Sequence, residues 1–110
     1  MHQLEPAIAQ FIQAHNRHDT AAIVSFFDPE AVILAQDQIW VGHAAICRWQ
    51  QLQPADHTLE ITAVRRHFGE FYLQTRWHKA ANDADDCQYV FALQDGKISR
   101  LIVQTRSNIR

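Results

Sequence analysis

Helical patterns followed by strand patterns predict an α+β domain: a cone-shaped, strongly bent, mostly antiparallel sheet with three helices of the N-terminal half packed on its concave face. Three observations carry this. Apolar residues recur at helical spacing before His57 and alternate after it. The stretch Glu70–His78 alternates most regularly, with Phe71, Leu73, Thr75 and Trp77 on one side and Glu70, Tyr72, Gln74, Arg76 and His78 on the other. Asp95-Gly96, set between two alternating runs, is a strong hairpin signal.

The elements follow in order. Leu4, Ile8, Phe11, Ile12 and His15 fall at helical spacing and predict an amphipathic helix from Glu5 to about Arg17, with Pro6 in the first turn where its missing N–H is harmless. Asp19 is placed to cap a second helix, Thr20 to Phe27, which Asp28-Pro29 should stop. Ala31–Ala35 and Ile39–Val41 read as short strands about a polar turn at Gln36–Gln38. Gly42 leads into a third helix, His43 to about Gln51, with Ala45, Ile46, Trp49 and Leu52 inward, and Gln53–Asp56 is a linker. Four strands complete the chain. Thr58–Val64 has Leu59, Ile61 and Ala63 on one face; Glu70–His78, Cys87–Leu93 and Lys97–Thr105 follow, with reversals at His67–Gly69, Ala80–Asp86 and Asp95-Gly96. A bent sheet wrapped on a long helix leaves a hollow, a natural ligand site.

Composition narrows the function. The 110 residues, 47% hydrophobic and 20% charged, suit one globular domain spanning 1–110. A net charge of −2 without a basic stripe argues against nucleic acid, and no apolar run approaches the ~20 residues that cross a bilayer. No basic-then-apolar leader is present, so a cytoplasmic location is expected, with Cys47 and Cys87 as buried free thiols. The seven histidines include no i, i+4 pair and no Cys–His cluster, so neither a metal nor another cofactor is expected. Asp83, Asp85 and Asp86 lack the glycine and distal glutamate of a calcium loop.

Several short patterns then carry a resemblance. They are Phe11-Ile12, Asp19 with Ala22-Ile23, Phe27-Asp28 with Ala31-Val32, Gly42-His43-Ala44-Ala45-Ile46, and Val90-Phe91 with Asp95-Gly96-Lys97-Ile98. In this order and spacing the chain resembles the nuclear transport factor 2-like superfamily, and within it the small SnoaL-like and ketosteroid isomerase-like proteins of cystatin-like α+β barrel form. The resemblance implies that Phe71, Leu73, Thr75, Trp77, Cys87, Tyr89, Phe91, Leu101, Val103 and Thr105 line the cone. It also implies that Ile98, Arg100, Ile102 and Gln104 face outward beside Tyr72, Val90 and Ala92. That convex face is where similar proteins often dimerise, so a homodimer through Tyr72, Val90, Ala92, Arg100 and Ile102 is expected.

Steroid isomerisation needs a carboxylate base and two acids that donate to an enolate oxygen. By the resemblance the first-helix tyrosine falls at Phe11, the base at or beside Leu34, and the remaining acid near Tyr89; one role of three survives, which excludes that activity. For other proton transfers, of isomerase, cyclase or hydratase type, the candidates are His15 on the buried stripe, His57 at a strand start, and Tyr89. Each has a purely structural reading beside the catalytic one. The expected ligand is a small hydrophobic or aromatic molecule, met by Phe11, Phe27, Leu34, Trp40, Trp49, Leu73, Thr75, Trp77, Phe91, Leu101 and Val103. The alternative is a non-catalytic dimerisation or scaffold module whose interior is filled by the same aromatic bulk.

Overall fold

The computed structural model describes residues 5–35, 37–53, 57–79 and 84–105, apart from the side chains at 57, 79, 84, 85 and 105. In chain order α1 is Pro6–Asn16, α2 Thr20–Ser25, β1 Phe27–Ala35, β2 Gln38–Val41, α3 Gly42–Gln51, β3 His57–His67, β4 Glu70–Lys79, β5 Ala84–Gln94 and β6 Lys97–Thr105. The strands form one sheet in the order β2-β1-β6-β5-β4-β3, antiparallel at every pairing except β1 with β6. Among the described residues no helix is long and apolar enough to cross a membrane.

Local chemistry explains the helix ends. Pro6 opens α1, and a Schellman closure ends it: His18 takes a left-handed φ of 59°, its N–H returns to His15 O, and the Asp19 N–H returns to Ala14 O. Asp19 then caps α2 by accepting from the Ala22 N–H at 3.2 Å. Contrary to the sequence expectation, α2 ends at Ser25 and Phe27 belongs to β1. The Ile98 N–H binds Phe26 O at 2.9 Å, and Phe27 pairs with Ile98; both side chains are fully buried, which outweighs one further helical turn. Pro29 is tolerated in β1 because β2 reaches only Val32–Ala35 and the β6 register breaks between Phe27 and Val32, so no ladder bond is lost.

Ile8, Phe11 and Ile12 of α1, Ile23 of α2, and Ile46 and Trp49 of α3 join Ile33, Leu59, Leu73, Phe91 and Leu101 of the sheet in one buried cluster. Each such side chain contributes about 1.5–3 kcal/mol relative to remaining exposed. The predicted parity of β4 holds: Phe71, Leu73 and Thr75 are buried, and Trp77 packs on the cluster.

Two bulges overturn the predicted parity elsewhere. In β3, Ile61 pairs with Thr75 but Ala63 pairs with Gln74, so Thr62 is extra. Ala63 therefore leaves the inner face and Val64, opposite Leu73, takes its place against the core. In β6, Arg100 pairs with Ala92 while Ile98 pairs with Leu93, which makes Ser99 the extra residue. Ile98, expected outside, is fully buried. The Ser99 hydroxyl holds the bulge by donating to Ala92 O at 3.1 Å.

One side chain fastens the far edge of the sheet to α1. Asn16 donates through Nδ2 to Leu59 O at 3.1 Å and accepts the Leu59 N–H at 2.8 Å. Replacing Asn16 by Ala strips both backbone groups of partners in a half-buried place and is expected to cost about 2 kcal/mol in urea unfolding. Asn16→Asp keeps only the acceptor and should fall between; an Asn16→Ala variant as stable as the parent would show that these two bonds do not hold β3 to α1.

Candidate functional site

The inner face of the sheet is built in rows set by strand register. One row runs Trp40, Ile33, Leu101, Phe91, Phe71; the next runs Ala35, Val103, Tyr89, Leu73, Val64. Thr75 lies between Cys87 and Ile61, and Trp77 faces Leu59. α1 lays Phe11 across these rows. Its ring lies 5.5 Å from Phe91 and 5.8 Å from Phe27, both edge-on, and 6.5 Å from Tyr89. His15, one turn further, is fully buried with its ring 5.9 Å from the same Phe11.

The interior is therefore closely filled along its depth: Phe11, Phe27, Leu73, Tyr89, Phe91 and Leu101 have no exposure, and Trp49 and Thr75 almost none. Trp40, Trp77 and Val103 are half-buried at its margin. The predicted set is thus brought together with two exceptions. Leu34 points away from the cone: it pairs with Ile39 and Ile102, on the opposite side from buried Ile33. Alternation within β1 dictates this, since Ala31, Ile33 and Ala35 hold the inner positions. The side chain of His57 lies outside the described residues. Cys87 is buried as expected, whereas Cys47 is half-buried.

Polar atoms in this apolar wall are few and specific. Thr75 Oγ1 donates to Cys87 O at 3.1 Å, which satisfies it locally. The Trp40 indole N–H is buried and finds no acceptor among the described residues. The Tyr89 O–H is buried and finds no acceptor among the described residues. Burial pushes its pKa well above the ordinary phenol value; the Trp77 side chain, placed to donate toward the oxygen, partly opposes this, and the neighbouring Cys87 adds to it.

A phenol whose folded pKa is raised stabilises the fold fully below its unfolded value of about 10, and that stability is lost as pH rises above it. Stability should accordingly fall by about 1.4 kcal/mol per pH unit above pH ~10 on account of this residue. Urea midpoints measured from neutral to alkaline pH should show the slope in the parent and a shallower one in Tyr89→Phe. Identical slopes would show that Tyr89 ionises freely.

Sequence reasoning did not foresee a second hollow, a cleft of about 490 Å³ on the outer side where the β1–β2 turn meets β6. Leu34, Asp37, Gln38, Ile39, Ile102 and Gln104 are among its walls. Its one advance signal is the polar Gln36–Gln38 turn beside apolar Ile39.

No protein-family model matches the chain, and no curated protein matches it in sequence. Solved structures match throughout its length. A candidate polyketide cyclase from Sinorhizobium meliloti is 23% identical, with a TM-score of 0.83 over 92% of this chain and 95% of that one. A protein from Sphaerobacter thermophilus is 17% identical, with a TM-score of 0.82 over 93% and 94%. A ketosteroid isomerase-like fold protein from Catenulispora acidiphila, in complex with trimethylamine, is 12% identical, with a TM-score of 0.79 over 92% and 85%. Others similar to this chain are described as NTF2-like or as having a cystatin-like fold. At these identities the likeness speaks for architecture, and this chain has the NTF2-like, cystatin-like α+β fold.

Proposed function

We propose that the chain binds a small hydrophobic or aromatic molecule on the concave side of its sheet, with proton transfer of isomerase, cyclase or hydratase type as the chemistry such a site would serve. The observation that carries this is the Tyr89 hydroxyl, fully buried in an apolar wall, with the Trp77 side chain directed at its oxygen and no acceptor for its proton among the described residues. Buried tyrosine hydroxyls ordinarily have such an acceptor, and a ligand oxygen would supply it. His15 and Tyr89 flank the same Phe11 ring, and on this reading they would exchange a proton with the ligand. Trp40 and Trp77, half-buried on the inner side, form the approach. Two of the similar structures, the candidate cyclase and the trimethylamine complex, have to do with small organic molecules. Steroid isomerisation stays outside the proposal, because Phe11 has no hydroxyl and Leu34 is neither acidic nor inward.

Thermal-shift measurements with a panel of apolar cyclic ketones and phenols test the reading. At least one should raise the melting temperature of the parent, with an affinity about tenfold weaker in Tyr89→Phe, the worth of one buried hydrogen bond. No stabilisation by any compound at saturation would count decisively against it.

A second reading rests on a separate observation. On the outer face, register aligns Ile39, Leu34, Ile102, Val90, Tyr72 and Arg65 in one row across all the strands. Ile39 and Val41 are 68% and 59% exposed. An apolar band of this kind suits a homodimer through Tyr72, Val90, Ala92, Arg100 and Ile102. Sedimentation at micromolar concentration should give a dimer that Ile102→Glu converts to monomer; a monomeric parent removes this reading and leaves the first untouched.

A further inference from the structure

At the opposite end of β4 from Trp77, the β3–β4 hairpin holds a cleft of its own. Phe71 is six residues from Trp77 along β4, so this end of the sheet lies about 20 Å from the Trp77 end. There Arg65, Arg66, His67 and Tyr72 line a cleft of about 300 Å³. Among the described residues none of Arg65, Arg66 and His67 is in an ion pair. This contrasts with Arg76 and Arg100, which hold Asp86 and Glu70. Arg66 is also oriented: its guanidinium stands 5.3 Å over the Phe71 ring. The nearby carboxylate, Glu70, is already engaged by Arg100 and by the Tyr72 hydroxyl, so it does little to offset the cleft's positive charge.

The turn itself adds an independent observation. His67 pairs with Glu70, so Phe68-Gly69 is a two-residue reversal, with φ of 51° and 78°. Such a position favours Asn, Asp or Gly, as Asp95-Gly96 at the β5–β6 reversal illustrates. Phenylalanine in a left-handed conformation costs about 1–2 kcal/mol. Phe68 gains no burial in return, for it is 92% exposed and touches His67 ring to ring at 4.2 Å. Local strain combined with an exposed aromatic beside unpaired cations marks a place that meets something else.

We propose that this cleft binds the phosphate group of a phosphate ester, with the Arg65 guanidinium as its forked donor, His67 on the same face of β3 as a further donor, Arg66 adding positive charge from the Phe71 face, and Phe68 against the apolar part of the ester. The planar fork of the Arg65 guanidinium matches two phosphate oxygens, and Arg66 across the strand adds to the positive charge they meet. The Tyr72 hydroxyl is committed to Glu70, so its ring serves as wall.

The test is a titration of the intact chain followed by backbone amide NMR at constant ionic strength. The arms are inorganic phosphate, phenyl phosphate, and vesicles of phosphatidylcholine with and without phosphatidic acid. Saturable shifts confined to residues 65–72, with phenyl phosphate tighter than inorganic phosphate, support a soluble ester; binding only to the phosphatidic acid vesicles assigns the same phosphate chemistry to a lipid headgroup. Arg65→Gln, an exposed side chain whose loss leaves the core intact, should weaken binding about tenfold. Phe68→Asn should weaken phenyl phosphate but not inorganic phosphate, and should raise stability. Shifts that grow linearly in every arm, that chloride reproduces at equal ionic strength, or that Arg65→Gln leaves unchanged would overturn the proposal.

Discussion

Leu73→Asp is expected to leave no folded protein at neutral pH, while Gln74→Asp, one residue along the same strand, should cost less than about 1 kcal/mol. Leu73 has no exposure and sits in the centre of β4, between Tyr89 and Val64. Removing its side chain costs about 2–5 kcal/mol, and an unpaired buried carboxylate adds several more. A domain of this kind has about 5–15 kcal/mol in total. Gln74 instead lies on the outer face opposite Gln88, half-buried, where a charge keeps its water. Far-UV circular dichroism and urea titration of both variants decide it. A Leu73→Asp chain that unfolds cooperatively near the parent midpoint would mean that the sheet presents its other face to the helices.

That contrast rests on the feature most legible beforehand. Alternation in β4 is unbroken because its residues pair in regular register with β5 throughout, so a period of two in sequence is a period of two in space. Where the backbone inserts one unpaired residue, the rule fails locally and silently. Thr62 and Ser99 look like any other polar strand residue, yet each reverses the facing of what lies beyond it, which is how Ala63 moved outward and Ile98 inward. Phe27 escaped for a different reason. It fits an apolar helical stripe, and only its long-range pairing with Ile98 draws it into a strand.

The candidate site divides along the same line. The interior positions on β4 were readable from alternation alone, whereas those on β5, and Leu101 and Val103 on β6, came from likeness to a fold and agree with the register found. The assignment of Leu34 came from the same likeness, and the alternation of Ala31, Ile33 and Ala35 overrules it. How closely the aromatic rings fill the space was equally hidden: composition shows that bulk is present but not where it is stacked. The β3–β4 cleft was out of reach because Arg65 and Arg66 acquire meaning only when the hairpin puts Tyr72 beside the first, Phe71 beside the second and Phe68 at the tip.

Phe11→Ala tests that filling and is expected to cost about 3–5 kcal/mol, read as a fall in urea midpoint at unchanged slope. The ring is wholly buried and contacts Phe27, Tyr89 and Phe91 as well as His15, so truncation leaves a space bounded by strands on one side and α1 on the other. Such a wall cannot collapse cheaply, which places the cost in the upper part of the range. The space would be apolar and about the size of a benzene ring, so benzene or indole should enter it and recover stability, by about 2.7 kcal/mol at a hundredfold excess over its dissociation constant. A loss below about 1 kcal/mol would instead mean that Phe11 already borders open volume in the parent, since a side chain lining a hollow gives up few contacts when shortened. The same pair of titrations therefore reads the interior directly: a large loss with aromatic rescue fits a solid core whose ligand must displace side chains, and a small loss without rescue fits a pocket open from the start.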